Sequence, residues 1–313
     1  MRVLFLDIVH PILEEMLSEK GFICEHNYTC TYDEALLLIP DYDGLVIRSR
    51  IPVDAHFLAA AKSLKFVARS GAGLENIDLK AAASANIEVY NSPEGNMDAV
   101  GEHAIGMLLM LFNKLNLADA EVREGKWDRE GNRGIELAGK TVGIIGFGSM
   151  GSAFAKKLSG FDCKILGYDK YKSQYAPAYV TECTLETLKN ESDIISIHLP
   201  LSEETDYYVD EAFIESCSKP FYLINTARGR HVKISDLLNA LASSKVSGAC
   251  LDVLEYEKKS FEKLHFEDLP SDFKRLASFK QVVLSPHVAG WTSESYVKLS
   301  TYLADKIIGK FGS

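Results

Sequence analysis

The stretch Thr141-Val142-Gly143-Ile144-Ile145-Gly146-Phe147-Gly148-Ser149-Met150-Gly151 constrains this chain more than any other part of it. An apolar, strand-like run passes directly into G-x-G-x-x-G and then into a helical segment over residues 153–158. The spacing has a physical purpose: Gly146 permits a tight turn, Gly148 lets the backbone approach a pyrophosphate, and Gly151 allows a helix to pack closely on the strand. The free amides of the helix N-terminus then face the anion. Asp169 closes the next apolar run, at the interval of roughly 20 residues where a carboxylate can bind both hydroxyls of a ribose. The same carboxylate repels a 2′-phosphate, so the unit predicts NAD in preference to NADP, with Lys170 and Lys172 as nearby counterweights. A glycine turn used only for packing and a methyltransferase are the competing readings. The order strand, glycines, helix, strand, acid favours the dinucleotide.

That unit sits within a longer alternation. Apolar runs over residues 3–6, 44–47, 66–68, 141–145, 164–168, 193–197, 221–224, 247–251 and 282–284 are separated by helical spacings such as Ile12, Leu13, Met16 and Leu17, with Gly21 as a stop. Strands alternating with helices form parallel sheets, because parallel neighbours need crossover connections. A long helix is expected over 98–112, read as a hinge, and a polar excursion containing Trp127 over 113–136. With 313 residues, of which 47% are apolar, about two α/β domains are expected. The formal charge of −10 excludes a polyanion as the natural partner, since nucleic-acid surfaces are met by clustered basic faces. Six cysteines lie without C-x-x-C spacing, so neither a zinc site nor a disulfide framework is expected, and no metal site is predicted. The longest apolar run, 104–112, falls short of the ~18 residues of a membrane span. Asp7 and His10 interrupt any signal peptide. A cytoplasmic location is the default expectation.

In an open parallel sheet, ligands bind beyond the carboxyl ends of the strands. Four strand ends carry chemistry: Asn225-Thr226-Ala227-Arg228-Gly229-Arg230, Asp252 with Glu255 and Glu257 behind it, Ser285-Pro286-His287, and His198-Leu199-Pro200. An arginine can clamp a carboxylate bidentately. A histidine can exchange a proton with an alcohol or carbonyl oxygen near neutral pH, and a glutamate can hold that histidine. Beside NAD, such a set suits hydride transfer to and from a 2-hydroxy acid. Singly, each has a bland alternative: Arg228 as a loop surface residue, His287 as a strand cap, and Glu257 as the first charge of a solvated run. Either Glu255 or Glu257 could be the partner of the histidine.

With these motifs the chain resembles the D-isomer-specific 2-hydroxyacid dehydrogenase family over nearly its whole length. The matching segments are Arg69-Ser70-Gly71-Ala72-Gly73-Leu74-Glu75-Asn76-Ile77-Asp78, Gly101-Glu102-His103, the glycine turn, His198-Leu199-Pro200-Leu201, Asn225-Thr226-Ala227-Arg228-Gly229, Leu251-Asp252-Val253 and Ser285-Pro286-His287. The resemblance implies a catalytic set of Arg228, Glu257 and His287, selecting Glu257 over Glu255. It makes Asp252 the partner of the nicotinamide carboxamide. It places Ser149 and Met150 at the pyrophosphate, and His198, Leu199, Pro200, Thr226, Ala227 and Gly290 along the cofactor cleft. It also implies that amides around Gly71, Ala72 and Gly73 hold the substrate carboxylate. The fold implied is α/β with two doubly wound parallel-sheet domains. A Rossmann NAD-binding domain, 98–288, is inserted into a discontinuous flavodoxin-like substrate domain, 1–97 plus 289–313. A homodimer joined through 98–112 and the Trp127 excursion is expected.

For the substrate, Arg48, Arg50 and Arg69 follow strand ends in the first domain, and clustered guanidiniums suit phosphate. Arg48 and Arg69 match substrate-contacting positions of relatives, so D-3-phosphoglycerate and 3-phosphohydroxypyruvate are the expected pair. Two departures weaken that choice, because either could reshape the pocket mouth, and a hydroxypyruvate- or glyoxylate-type reductase is the alternative. Trp291 stands where a small residue is common, and the stretch 258–280 is long, with Phe261, Leu264, Phe266 and Leu269 suggesting an added, partly buried piece. The chain ends at Ser313, so feedback through a C-terminal regulatory domain is not expected. A function from another class, an NAD(H)-sensing corepressor or scaffold, is compatible with the same residues.

Overall fold

The computed structural model describes residues 1–257 and 270–312. Residues 258–269, and with them Phe261, Leu264, Phe266 and Leu269 of the expected added piece, lie outside the described residues. The chain divides into two compact units, one of Met1–Asn96 with Trp291–Ser313 and one of Met97–Gly290.

The first unit alternates strands and helices: β1 (Arg2–Phe5), α1 (Ile12–Glu19), β2 (Ile23–His26), α2 (Tyr32–Leu38), β3 (Gly44–Ile47), α3 (Ala55–Ala60), β4 (Phe66–Arg69), α4 (Leu79–Ser84) and β5 (Glu88–Tyr90). Its five strands pair in parallel in the order β2-β1-β3-β4-β5, the flavodoxin-like arrangement. Side chains alternate across the sheet. Leu4, Leu6, Leu45, Ile47 and Val67 enter one core, and Val3, Phe5, Val46, Phe66 and Ala68 enter the other. The second core is completed from the far end of the chain by Leu303, Ala304 and Ile307 of α12 (Ser293–Phe311).

The second unit begins with α5 (Met97–Phe112) and α6 (Leu115–Arg123), followed by β6 (Thr141–Ile145), α7 (Ser149–Leu158), β7 (Lys164–Tyr168), β8 (Thr181–Glu182), α8 (Leu185–Glu191), β9 (Ile194–Ile197), α9 (Glu211–Glu215), β10 (Phe221–Asn225), α10 (Ile234–Ala242), β11 (Val246–Leu251), α11 (Ser271–Ser278) and β12 (Val282–Leu284). The seven strands run β12-β11-β10-β9-β6-β7-β8, all pairings parallel. Counted from β6, this is the Rossmann order 3-2-1-4-5-6 with one further strand. Both faces are covered, with Ile145, Ile195, Leu223 and Leu251 in one core and Val142, Ile144, Ile194 and Ile224 in the other. The order reverses between β6 and β9, which sets the glycine turn and His198 at the crevice where such sheets bind ligands.

Three strands lie outside the nine apolar runs read from the sequence. They are β2, β5 and β8, each with a partly or fully exposed burial pattern at or near a sheet edge. The segment expected to be a polar excursion contains α6, which has no buried residue and exposes Leu115 and Val122, while Trp127 beyond it is 79% exposed. Among the described residues, no helix is long and apolar enough to cross a membrane.

Close backbone approach explains one small residue of the first unit. A Cβ on Gly95 would stand 2.5 Å from the backbone nitrogen of Leu299 in α12, whereas one on Gly309 of the same helix would meet nothing within 4 Å. Gly95→Ala should therefore destabilise the protein by ~1–3 kcal/mol through overpacking. Gly309→Ala should stabilise it by ~0.5–1 kcal/mol through helix propensity. Denaturant midpoints moving in the opposite directions would contradict this packing.

Candidate active site

Because β10, β11 and β12 are parallel neighbours, their carboxyl ends deliver Arg228, Glu257 and His287 from adjacent positions of one sheet. Glu257 Oε2 lies 2.5 Å from His287 Nδ1, and its other oxygen accepts the Leu254 amide at 2.5 Å. The carboxylate is thus held from two sides, by the His287 imidazole and the Leu254 amide. Glu255 is directed elsewhere: its Oε1 accepts the amide of Ile234 at 3.1 Å. The geometry separates two carboxylates that the residue pattern left equivalent.

Arg228 stands on a loop built by Asn225, which is fully buried. Asn225 Nδ2 donates to the Arg228 carbonyl (2.9 Å), and its Oδ1 accepts the Ala227 amide (3.1 Å). Arg228 Nη1 donates to the Ala227 carbonyl at 2.7 Å. The next residue must be glycine, since a Cβ on Gly229 would stand 2.0 Å from the Leu254 carbonyl oxygen. That contact seats the Arg228 loop on the segment leading to Glu257. His231, buried and not singled out from the sequence, accepts the Arg228 amide at Nδ1 (3.3 Å) and has Nε2 3.3 Å from the Pro200 carbonyl. It ties the Arg228 loop to the His198-Leu199-Pro200 loop.

Asp252 is almost fully buried, with Oδ1 accepting from Ser285 Oγ (2.5 Å) and the Val288 amide (2.9 Å), and Oδ2 from the Ala289 amide (2.8 Å). Burial by itself would raise its carboxyl, but the neighbouring His103 imidazole and the hydrogen bonds from Ser285, Val288 and Ala289 outweigh it and hold the group below its usual range. Its carboxylate therefore already anchors the loop that carries His287 and ends at Gly290.

At the switch point, Gly146 adopts φ +90°, and a Cβ there would lie 2.5 Å from the His198 carbonyl oxygen. A Cβ on Gly151 would lie 2.1 Å from the Gly146 carbonyl. No side chain caps α7, whose first residues are Ser149 and Met150, so its leading amides remain available to an anion. Asp169 accepts the amides of Phe147 (2.9 Å), Tyr171 (3.0 Å) and Lys172 (3.2 Å).

A family model described as "D-isomer specific 2-hydroxyacid dehydrogenase, NAD binding domain" matches residues 105–289. The chain belongs to the D-isomer specific 2-hydroxyacid dehydrogenase family. It is 36% identical over 280 residues to the hydroxypyruvate reductase of Thermotoga maritima, covering 90% of this chain and 88% of that protein. It is 34% identical over 306 residues to the D-3-phosphoglycerate dehydrogenase of Archaeoglobus fulgidus, covering 96% of this chain but only 56% of that longer protein. The solved structure of D-2-hydroxyisocaproate dehydrogenase superposes with a TM-score of 0.82 at 25% identity, covering 100% of this chain and 98% of that one.

The residues present fit NAD, the cofactor of this dehydrogenase family. Besides the uncapped helix and the glycine contacts, the buried Thr226 hydroxyl at the end of β10 has no hydrogen-bond partner among the described residues. The two lysines that could have welcomed a 2′-phosphate are engaged: Lys172 Nζ donates to the Phe147 carbonyl at 3.0 Å, and Lys170 pairs with Glu204. His198 differs from expectation in one respect. Its imidazole faces the interior, 2.8 Å from Ser196 Oγ and against the Phe154 ring, so only its backbone borders the glycine turn.

In the first unit, the loop after β4 turns its carbonyls inward. Gly71 O accepts from the Ser92 amide (3.0 Å), Ala72 O from Asn91 Nδ2 (2.5 Å) and Gly73 O from Arg69 Nη1 (2.5 Å). The three arginines divide. Arg50 bonds the Asp7 carboxylate at 3.2 Å and the Cys30 and Leu6 carbonyls at 2.5 Å each. Arg69 also donates to the Arg48 carbonyl at 3.0 Å. Arg48 alone lays its guanidinium on a ring, 4.5 Å from the centroid of Trp291, which is half-exposed and packs in turn against Tyr296.

Burial drives the His198 imidazole down from 6.5 to about 3, so it is neutral when folded. The unfolded chain binds its proton between those values. Stability from this residue is therefore complete above pH 6.5 and is lost as pH falls toward 3, at ~1.4 kcal/mol per pH unit. Unfolding free energy measured from pH 6 to 4 should fall more steeply for the native chain than for His198→Gln, by about one proton. Equal slopes would contradict the buried neutral histidine.

Proposed function

We propose that this chain is an oxidoreductase that moves hydride between NAD and C2 of a D-2-hydroxy acid or 2-keto acid, with Arg228, Glu257 and His287 as its catalytic residues. The observation that carries this reading is the 2.5 Å contact of His287 Nδ1 with Glu257 at the ends of neighbouring strands. NAD, when bound, supplies the hydride acceptor and donor. In the oxidative direction, His287 Nε2 takes the hydroxyl proton while Glu257, at Nδ1, stabilises the imidazolium. In reduction the same nitrogen returns the proton to the carbonyl oxygen. Arg228 orients the substrate carboxylate and polarises that oxygen. The first unit serves as substrate domain, with the amides of Gly71, Ala72 and Gly73 holding a carboxylate. None of these amides has a hydrogen-bond acceptor among the described residues. The working form is a homodimer in the cytoplasm, and the exposed apolar side chains Leu115, Val122 and Trp127 support the dimer.

General acid–base help of this kind is worth ~10²–10⁴ in rate. His287→Ala should therefore bind NADH normally, by fluorescence titration, yet lose at least ~100-fold in kcat, with Glu257→Gln impaired in the same parameter. Ordinary turnover by His287→Ala would remove the assignment.

For the substrate we favour 3-phosphohydroxypyruvate, with Arg48 as the cation for its phosphate. A second reading, reduction of hydroxypyruvate or glyoxylate, is favoured by the engagement of Arg50 and Arg69 with backbone carbonyls, which leaves one guanidinium where three were expected. Comparing kcat/KM for the three keto acids separates them. The phosphorylated substrate should lead and should lose ~10-fold or more in Arg48→Ala, the scale of a charge-assisted bond. If hydroxypyruvate is used as well, the second reading stands. Tight NADH binding with no turnover of any keto acid would mark a sensor or scaffold.

A further inference from the structure

Gly101-Glu102-His103 in α5 has no part in the chemistry described so far, and its first two residues have a packing role. A Cβ on Gly101 would lie 3.3 Å from the backbone of Ala153 and Phe154, so α5 and α7 approach closely there. Glu102 adds an ion pair to Lys157 at 2.8 Å, and Asp98 adds another at 3.0 Å. The third residue points away from that contact toward the end of β12. His103 Nε2 lies 2.9 Å from Ser285 Oγ and 3.5 Å from Asp252 Oδ1. Ser285 spends its single proton on Asp252 at 2.5 Å, so its oxygen is the acceptor toward His103, and Nε2 is the protonated nitrogen.

What this relay reaches is the backbone that aims His287. His287 has φ +55°, in the left-handed region that a residue with a side chain keeps only where its surroundings over-determine it. Its amide donates to the Asp252 carbonyl at 2.7 Å, and the next two amides, of Val288 and Ala289, donate to the two oxygens of the Asp252 carboxylate. The turn is wrapped around one buried carboxylate, and that carboxylate is oriented from behind by Ser285 and His103.

We propose that His103 is a positioning residue: through Ser285 it fixes the Asp252 carboxylate, and Asp252 holds the left-handed turn that directs the His287 imidazole. The proposal rests on His287 being the proton-transfer group, so the experiment includes the variant that tests that reading.

Steady-state kinetics with the best keto acid, NADH titration and thermal melting are measured for His103→Leu, His103→Gln, Ser285→Ala, the His103→Leu/Ser285→Ala double variant and His287→Ala. Misplacing a catalytic group by a fraction of an ångström to one ångström costs on the order of 10–100-fold. His103→Leu should lose that much in kcat with NADH affinity unchanged. His103→Gln keeps an N–H donor at similar reach and should recover most of the loss. The double variant should be no worse than the poorer single one, because both changes break the same link. Should His103→Leu fail to fold, Ser285→Ala breaks the link without altering α5 and should show the same kcat loss. The proposal is overturned if His103→Leu or Ser285→Ala keeps native kcat, if Gln is no better than Leu, or if the two losses multiply. If His287→Ala itself turns over normally, the underlying reading fails instead. An inactive His287→Ala beside a native-like His103→Leu removes the positioning role alone.

Discussion

Parallel pairing is the constraint on which the site depends. Each strand of the seven-stranded sheet must be followed by a crossover, so all strands end on one side, and chemistry-bearing residues far apart in sequence emerge as neighbours. Arg228, Glu257 and His287 follow β10, β11 and β12, which lie side by side. The glycine turn follows β6, whose neighbour β9 leads directly into His198. The Gly146 turn can form only because a hydrogen replaces a side chain against the His198 carbonyl, so the cofactor turn and the next loop are shaped together.

Within that frame the site is organised by buried polar groups whose bonds are satisfied. Asn225 closes the Arg228 loop, His231 links that loop to Pro200, and Asp252 gathers the amides beyond His287. Burying such groups is costly unless each finds its partners. Here most of the partners are backbone groups of loops that must be held still, and Ser285 Oγ adds a side-chain donor at Asp252. Gly229 adds a steric device, letting the Arg228 loop rest on the Leu254 carbonyl just ahead of Glu257. The same logic in the first unit consumes Arg50 and most of Arg69 in shaping loops, while Arg48 lies on the Trp291 indole.

Much of this was legible in the residue order. Buried strands announce themselves as largely apolar runs, and nine such runs correspond to β1, β3, β4, β6, β7, β9, β10, β11 and β12. The edge strands β2, β5 and β8 were not among them because they bury little, whereas β12, also at an edge, buries Val282 and Val283. Helix α6 was hidden for the same reason, since it buries no residue of its own. Among functional groups, His231 and the link from His103 carried no local signal. Their partners, Pro200 and Ser285, lie 31 and 182 positions away.

The sequence by itself determined the alternating architecture, the dinucleotide turn with its acid, and the types of residue placed at strand ends, because period, glycine spacing and strand-end position are local properties of a chain. The residue pattern left two neighbouring glutamates open and the family resemblance selected Glu257. Only the tertiary structure shows its contact with His287, and only it decided that the His198 ring is turned inward, that Asp252 anchors the loop carrying His287, and that one arginine of three is laid on an indole. Each of those depends on contacts across large separations in the chain. The identity of the partner, and hence the protonation and direction of the side chain, exists only once the strands have been brought side by side.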